Sequence, residues 1–246
     1  MGIETKLILL ILSAIAIFEG YNFIHTQRLI KIGIAQTEET PAYERRLDKP
    51  EQRFLIIGDS SAVGVGAEPS TGSIAGRLAA DYPTADVMSL AVSGSKVKDA
   101  IKQLKSLPDT AKFDLILIQI GGNDIVRRTP YADLERDFPI VLKLAKQHSD
   151  HVVQLTSGNV GTSKLLPLGT RWFFTLRTKR VRNIFMRINS EQNTAYVDLY
   201  RKPAVDPYAQ NPKLYYSPDF FHPSATGYGD WYSFTAPIIK DLLGSE

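Results

Sequence analysis

Residues 113–124 read FDLILIQIGGND, and this stretch decides the fold. From Phe113 to Ile120 it is apolar but for Asp114 and Gln119, too continuous for a strand with one wet face. Such a run belongs in a parallel sheet covered by helices on both sides. It stops at Gly121-Gly122-Asn123-Asp124, a turn at the strand's carboxyl end. The same design recurs on either side. Phe54–Ile57 runs into Gly58-Asp59-Ser60-Ser61, and Val87–Val92 runs into Ser93-Gly94-Ser95. His151–Leu155 and Ala195–Leu199 supply a fourth and a fifth strand. Helical spacing separates them at Ser73–Ala80, Val97–Leu107 (stopped by Pro108) and Leu134–Gln147, with Pro139 near its first turns. A last helix is predicted over Ala225–Leu243, with Pro237 as a candidate break. Repeated βα units predict an α/β fold: a three-layer α/β/α sandwich on a five-stranded parallel sheet with right-handed crossovers.

Composition sets the outer limits. Of 246 residues, 43% are apolar and 22% charged, which suits a globular chain long enough to bury a core without staples. Cys is 0, so a thiol nucleophile and Cys-ligated metal are excluded. Four histidines leave a short list of imidazole catalysts, and a net charge of +3 does not argue for nucleic acid. Two nucleotide-binding motifs are not met: Gly64-x-Gly66 lacks the third glycine of a dinucleotide loop, and no phosphate-binding G-x-x-x-x-G-K-[ST] occurs.

The N-terminus differs from the rest. Leu7–Phe18 is apolar except for Ser13, and extension to Ile24 admits only Glu19 and Asn22 as strongly polar residues. Three readings stay open: an uncleaved signal anchor, a signal peptide cleaved near Ala14-Ile15-Ala16, or a soluble amphipathic helix. The first two place the protein on a membrane or outside the cytoplasm. Residues 1–35 are therefore read as a hydrophobic helix or leader and the polar 36–52 as a linker, with the catalytic-type domain over 53–246.

In doubly wound sheets, sites lie beyond the carboxyl ends of the strands, at the point where strand order reverses. If the order is 2-1-3-4-5, the turns bearing Ser60, Gly94 and Asn123 converge. Ser60 at a strand–helix turn is a candidate nucleophile that needs a base. His222, in Pro218-Asp219-Phe220-Phe221-His222-Pro223, is the histidine placed to serve, with Asp219 three residues earlier to orient it. Backbone N–H groups of Ser60 and Gly94 and the Asn123 amide can hold an oxyanion. Each motif alone is ordinary: Gly-Asp-Ser is also a helix cap, and Gly-Gly-Asn-Asp is also a loop. His148 and His151 read as surface or capping residues, and Asp124 as a residue ordering the Asn123 loop.

As an ordered set, the four blocks resemble the SGNH/GDSL hydrolase superfamily over about residues 53–243. The resemblance implies a flavodoxin-like fold and a serine esterase that needs no metal or organic cofactor. It implies Ser60 as nucleophile and first oxyanion donor, with Gly94 and Asn123 as the other donors. His222 is implied as general base and Asp219 as its partner. The implied substrates are carboxylic esters of lipids, lysophospholipids or acylated carbohydrates. Ala62-Val63-Gly64-Val65-Gly66 departs from the longer GDSL pattern, so subfamily and substrate stay open. Two rivals are an acyltransferase on the same triad and a non-catalytic binding domain that keeps the fold.

Residues 164–187 (KLLPLGTRWFFTLRTKRVRNIFMR) hold seven Lys/Arg and no acid, interleaved with aromatics. They read either as a contact surface for anionic lipid or as a core-packed helix with one solvated basic face. Nothing else in the chain resembles a nucleic-acid fold.

Overall fold

The computed structural model describes residues 2–244. It opens with one long helix, α1 (Ile3–Glu39), followed by β1 (Gln52–Gly58), α2 (Ser60–Val63) and α3 (Ile74–Asp81). Next come β2 (Ala85–Ser89), α4 (Val97–Lys105), β3 (Leu115–Gln119), α5 (Gly122–Val126) and α6 (Tyr131–His148). The chain ends with β4 (Val152–Leu155), α7 (Arg171–Glu191), β5 (Ala195–Val197), two single turns α8 (Pro207–Gln210) and α9 (Pro212–Tyr215), and α10 (Ala225–Leu243).

All five strands are parallel, in the order β2-β1-β3-β4-β5. Phe54 pairs with Val87 on one side and Leu115 on the other, which puts β1 between β2 and β3. Alternation along β1 assigns its side chains to two cores. Phe54 and Ile56 pack with Ile74 and Leu78 of α3 and with Tyr228 and Trp231 of α10. Leu55 and Ile57 pack with Leu104 of α4, Phe138 of α6 and Phe185 of α7. Both faces are buried, hence the uninterrupted apolar runs.

The element ends differ in instructive ways. β2 stops at Ser89, yet Leu90 and Val92 N–H still donate to Ile56 and Gly58 carbonyls at 2.9 and 3.1 Å. The backbone thus follows β1 irregularly up to the Gly94 turn. α6 begins at Tyr131, so Pro139 lies in its interior rather than near its first turns. Pro237 likewise sits inside α10 without ending it.

The segment expected as a linker, 36–52, is part of the fold. Its first residues complete α1, and Thr40 Oγ1 donates to Gln36 O at 2.7 Å. Arg45 then forms an antiparallel bridge with Val87, with N–H···O distances of 2.9 and 2.8 Å. Its guanidinium donates to the Ala79, Tyr82 and Ala85 carbonyls. This covers the open edge of β2.

α1 has two halves. Ile3–Tyr21 is exposed throughout, whereas Leu29 and Gly33 are buried against the domain. Among the described residues, α1 is the one helix long and apolar enough to cross a membrane.

Candidate active site

Every candidate residue sits at the carboxyl end of the sheet. β1 delivers Gly58, which the Gln103 side chain clamps from both sides: its Oε1 accepts from Gly58 N and its Nε2 donates to Gly58 O, each at 2.9 Å. Asp59 caps α2, accepting from Ser61 N at 2.9 Å and Ser61 Oγ at 2.7 Å. Ser60 is thereby fixed in the first turn of a helix, where N–H groups point outward and favour negative charge.

The second and third turns are tied to the first. Gln103 Nε2 also reaches Ser95 Oγ at 3.1 Å, beside Gly94. Gly94 adopts φ +83°, a left-handed conformation that glycine takes without strain. Asp124 Oδ2 accepts from Val97 N at 2.9 Å, so the residue expected to order the Asn123 loop also fastens it to the start of α4. The Asn123 side chain faces the Asp59 carboxyl and offsets part of the pKa rise that burial causes there, and it lines a cleft together with Ser60.

The last component comes from the loop before α10, folded back by a bridge between Tyr216 and Pro223. Asp219 Oδ1 accepts from Ser217 Oγ, Phe221 N and His222 N at 2.8, 2.8 and 2.9 Å. Its Oδ2 is 2.5 Å from His222 Nδ1, and His222 Nε2 is 2.8 Å from Ser60 Oγ. A continuous hydrogen-bonded line therefore runs from Asp219 through the imidazole to Ser60, residues separated by 162 positions at the serine–histidine step. Ser60, Asp219 and His222 are all buried.

The charges are tuned separately. Burial works to raise the Asp219 pKa, but the His222 hydrogen bond and charge, with the Phe221 and His222 N–H groups, hold it below the ordinary 3.8. Burial dominates at Asp59 and Asp124, and both carboxyl pKa values are raised.

Two cavities open on Ser60. The first measures about 60 Å³ and lies under the loop that follows β4. Ser157, Asn159, Tyr208 and Trp231 help to line it, and the Ser157 Oγ, Asn159 Nδ2, Tyr208 Oη and Trp231 Nε1 atoms are buried without hydrogen-bond partners among the described residues. The second is a cleft of about 430 Å³ that holds Ser60, Gly94, Asn123, Asp219 and His222 in its walls. All five sequence-predicted residues thus meet in one cleft.

Other expectations need correction. His148 is buried rather than on the surface, with Nδ1 2.9 Å from Ala111 O at the end of α6. The basic stretch 164–187 divides in two. From Arg177 onward it is a packed helix, burying Val181, Ile184, Phe185 and Ile188. Two of its cations there are held by carboxylates: Arg182 by Asp198, and Arg187 by Glu191 and Glu135. Ahead of that, Leu168, Trp172 and Leu176 remain exposed.

Sequence reasoning missed three contributors. Arg177 is buried, donates to the Ile125, Asp124 and Thr129 carbonyls, and lies over the Tyr131 ring at 4.7 Å, which braces the segment after Asn123. Gln103 is a polar residue on a packed helix face, and only that mismatch could have flagged it. The third is α1, whose second half forms one wall of the cleft.

Comparison with known proteins follows the same outline. Residues 56–229 match the family described as GDSL-like Lipase/Acylhydrolase. A curated relative, Esterase TesA of Pseudomonas aeruginosa, is 28% identical over 107 residues, covering 42% of this chain and 53% of the relative. The match therefore spans about half of that relative's length. Among solved structures, a lipolytic protein of the G-D-S-L family from Veillonella parvula superposes with a TM-score of 0.63 at 16% identity, covering 76% of this chain and 98% of the other. An acetylxylan esterase from Geobacillus stearothermophilus, solved as a catalytic mutant, gives 0.57 at 19% identity, covering 80% and 96%. At these identities the structural likeness speaks to the fold.

Proposed function

The chain belongs to the GDSL-like lipase/acylhydrolase family, and from that premise we propose that it is a serine hydrolase of carboxylic esters held at a membrane by α1. One observation carries the chemistry: the unbroken Asp219–His222–Ser60 hydrogen-bond line. A serine hydroxyl is a weak nucleophile until a base takes its proton. His222 Nε2 removes the Ser60 proton as Oγ attacks the ester carbonyl. Asp219, low in pKa and so ionised, keeps the other imidazole nitrogen protonated and stabilises the imidazolium. The carbonyl oxygen, now negative, is received by Ser60 N–H, Gly94 N–H and the Asn123 amide. The imidazolium returns its proton to the departing alcohol. Water, activated by the same base, then releases the acid from the acyl-enzyme.

The anchor reading rests on α1 being one unbroken helix, apolar and exposed over its first half and packed on the domain over its second. Residues 3–24 extend about 33 Å at 1.5 Å per residue, close to the thickness of a bilayer's hydrocarbon core.

A fluorophosphonate probe tests the proposal. Labelling of the wild type at Ser60, lost in Ser60→Ala, is expected, and persistent labelling of Ser60→Ala assigns reactivity to another serine. Product analysis with an added acceptor alcohol separates hydrolysis from acyl transfer.

A further inference from the structure

The cleft over Ser60 has a wall that lies outside the matched family span. Ile30, Gly33, Ile34, Thr37 and Glu38 fall at i, i+3, i+4, i+7 and i+8, on one face of α1, and all five line the cleft of about 430 Å³. The helix approaches the site closely: a Cβ at Gly33 would lie 2.9 Å from Asp219 Oδ2. It is fastened on both sides of that contact. Thr26 Oγ1 donates to Leu165 O at 3.3 Å, and the Gln36 side-chain amide lies 3.2 Å from Ser217 Oγ. Ile34 is nevertheless 52% exposed, an apolar side chain in the cleft wall that adds nothing to the core.

Geometry connects this wall to a membrane. Ile30 lies six positions beyond Ile24, the end of the apolar half, a rise of about 9 Å. At the level of Thr26, the contact with Leu165 brings up the segment carrying exposed Leu168, Trp172 and Leu176. Tryptophan and leucine there suit the headgroup boundary. The opposite cavity does not suit a long chain. It holds about 60 Å³, and a hydrocarbon there would leave the Ser157, Asn159 and Trp231 polar atoms without partners.

We propose that Ile30 and Ile34 of α1 form the acyl-chain subsite, so that the substrate is an acyl ester of a membrane lipid whose chain reaches Ser60 along the helix that anchors the enzyme. This rests on the esterase reading and adds a substrate class to it. The helix is then a binding element as well as a tether, and selectivity for long chains resides in residues far from the catalytic blocks in sequence.

The test uses the full chain in phospholipid vesicles, with p-nitrophenyl acetate and p-nitrophenyl decanoate as probes. Ile30→Trp fills the cleft, and Ile34→Asp keeps the space but removes the apolar wall. Each variant should lower the decanoate-to-acetate ratio of kcat/KM tenfold or more, with Ser60 still labelled by a fluorophosphonate. A ratio within twofold of wild type in both variants overturns the inference and leaves the esterase reading standing. A second measurement does not depend on turnover. A photoreactive long-chain fatty acid should crosslink to the peptide containing residues 30–37, and crosslinks confined to other peptides overturn the inference. If the wild type hydrolyses neither ester and Ser60 stays unlabelled, the esterase reading falls and the crosslink alone decides the subsite.

Discussion

The cavity beneath the β4 loop and the cleft beside α1 share Ser60, Asn123, Phe221 and His222 and differ in the rest of their walls. The first is about 60 Å³, built from loops and helices of the α/β domain, and carries buried polar atoms without partners among the described residues. The second is about 430 Å³, and one of its walls is contributed by a helix that precedes the family-matched span. The contrast separates two tasks. The α/β domain supplies the chemistry and a small compartment able to recognise hydrogen-bonding groups. The appended helix supplies length and, at Ile30 and Ile34, an apolar surface.

The largest perturbation should abolish function on both sides at once. Ser60→Ala is expected to lower kcat by roughly 10⁴–10⁶ on every ester, since removing a nucleophile disables the whole unit. A variant retaining activity on short esters alone would mean that the two regions serve different nucleophiles. Asn123→Ala should cost roughly 10²–10³ in kcat, the usual loss for one oxyanion donor, again without regard to chain length. Unchanged kcat would remove Asn123 from that role.

The next change acts on one side. Trp231→Phe deletes a donor that has no partner among the described residues. It should reduce discrimination between a glycerol ester and an ethyl ester of the same acid by about tenfold, the scale of one hydrogen bond. The decanoate-to-acetate ratio should not move. If chain-length preference shifts instead, the assignment of the two regions is reversed.

The smallest effect is on acid stability. Asp219 lines the α1 cleft and has a folded pKa below 3.8. Such a carboxylate stabilises the fold above its unfolded value, and the contribution is lost as pH falls through the folded value. The urea midpoint of wild type should exceed that of Asp219→Asn at pH 7, and the gap should narrow below pH 3.8. A gap that widens on acidification contradicts the sign of the shift.

The sheet was readable because each strand is buried on both faces, which leaves an apolar run, and because each run ends in a small-residue turn. Those same turns carry Ser60, Gly94 and Asn123, so strand order alone predicted that they would meet. The His222 loop was readable by residue type: an imidazole with an aspartate three positions earlier. The wall formed by α1 left no such signature. Ile30, Gly33 and Ile34 look like the tail of an apolar segment, and nothing local distinguishes an isoleucine facing lipid from one facing a cleft. Arg177 misled for the opposite reason. In sequence it joins a basic run suited to anionic surfaces, but three backbone carbonyls and a tyrosine ring take it into the interior.

The continuity of α1 has a mechanical corollary. A residue inserted before Tyr21 lengthens the stalk by about 1.5 Å and spins the upstream segment by about 100°. That segment is exposed on every side, so the bilayer meets an equivalent surface after the turn. The same insertion between Ile30 and Gly33 throws the helix out of phase with the triad and swings Ile30 off its shared stripe. The screw pitch of this helix is therefore free at one end and locked at the other.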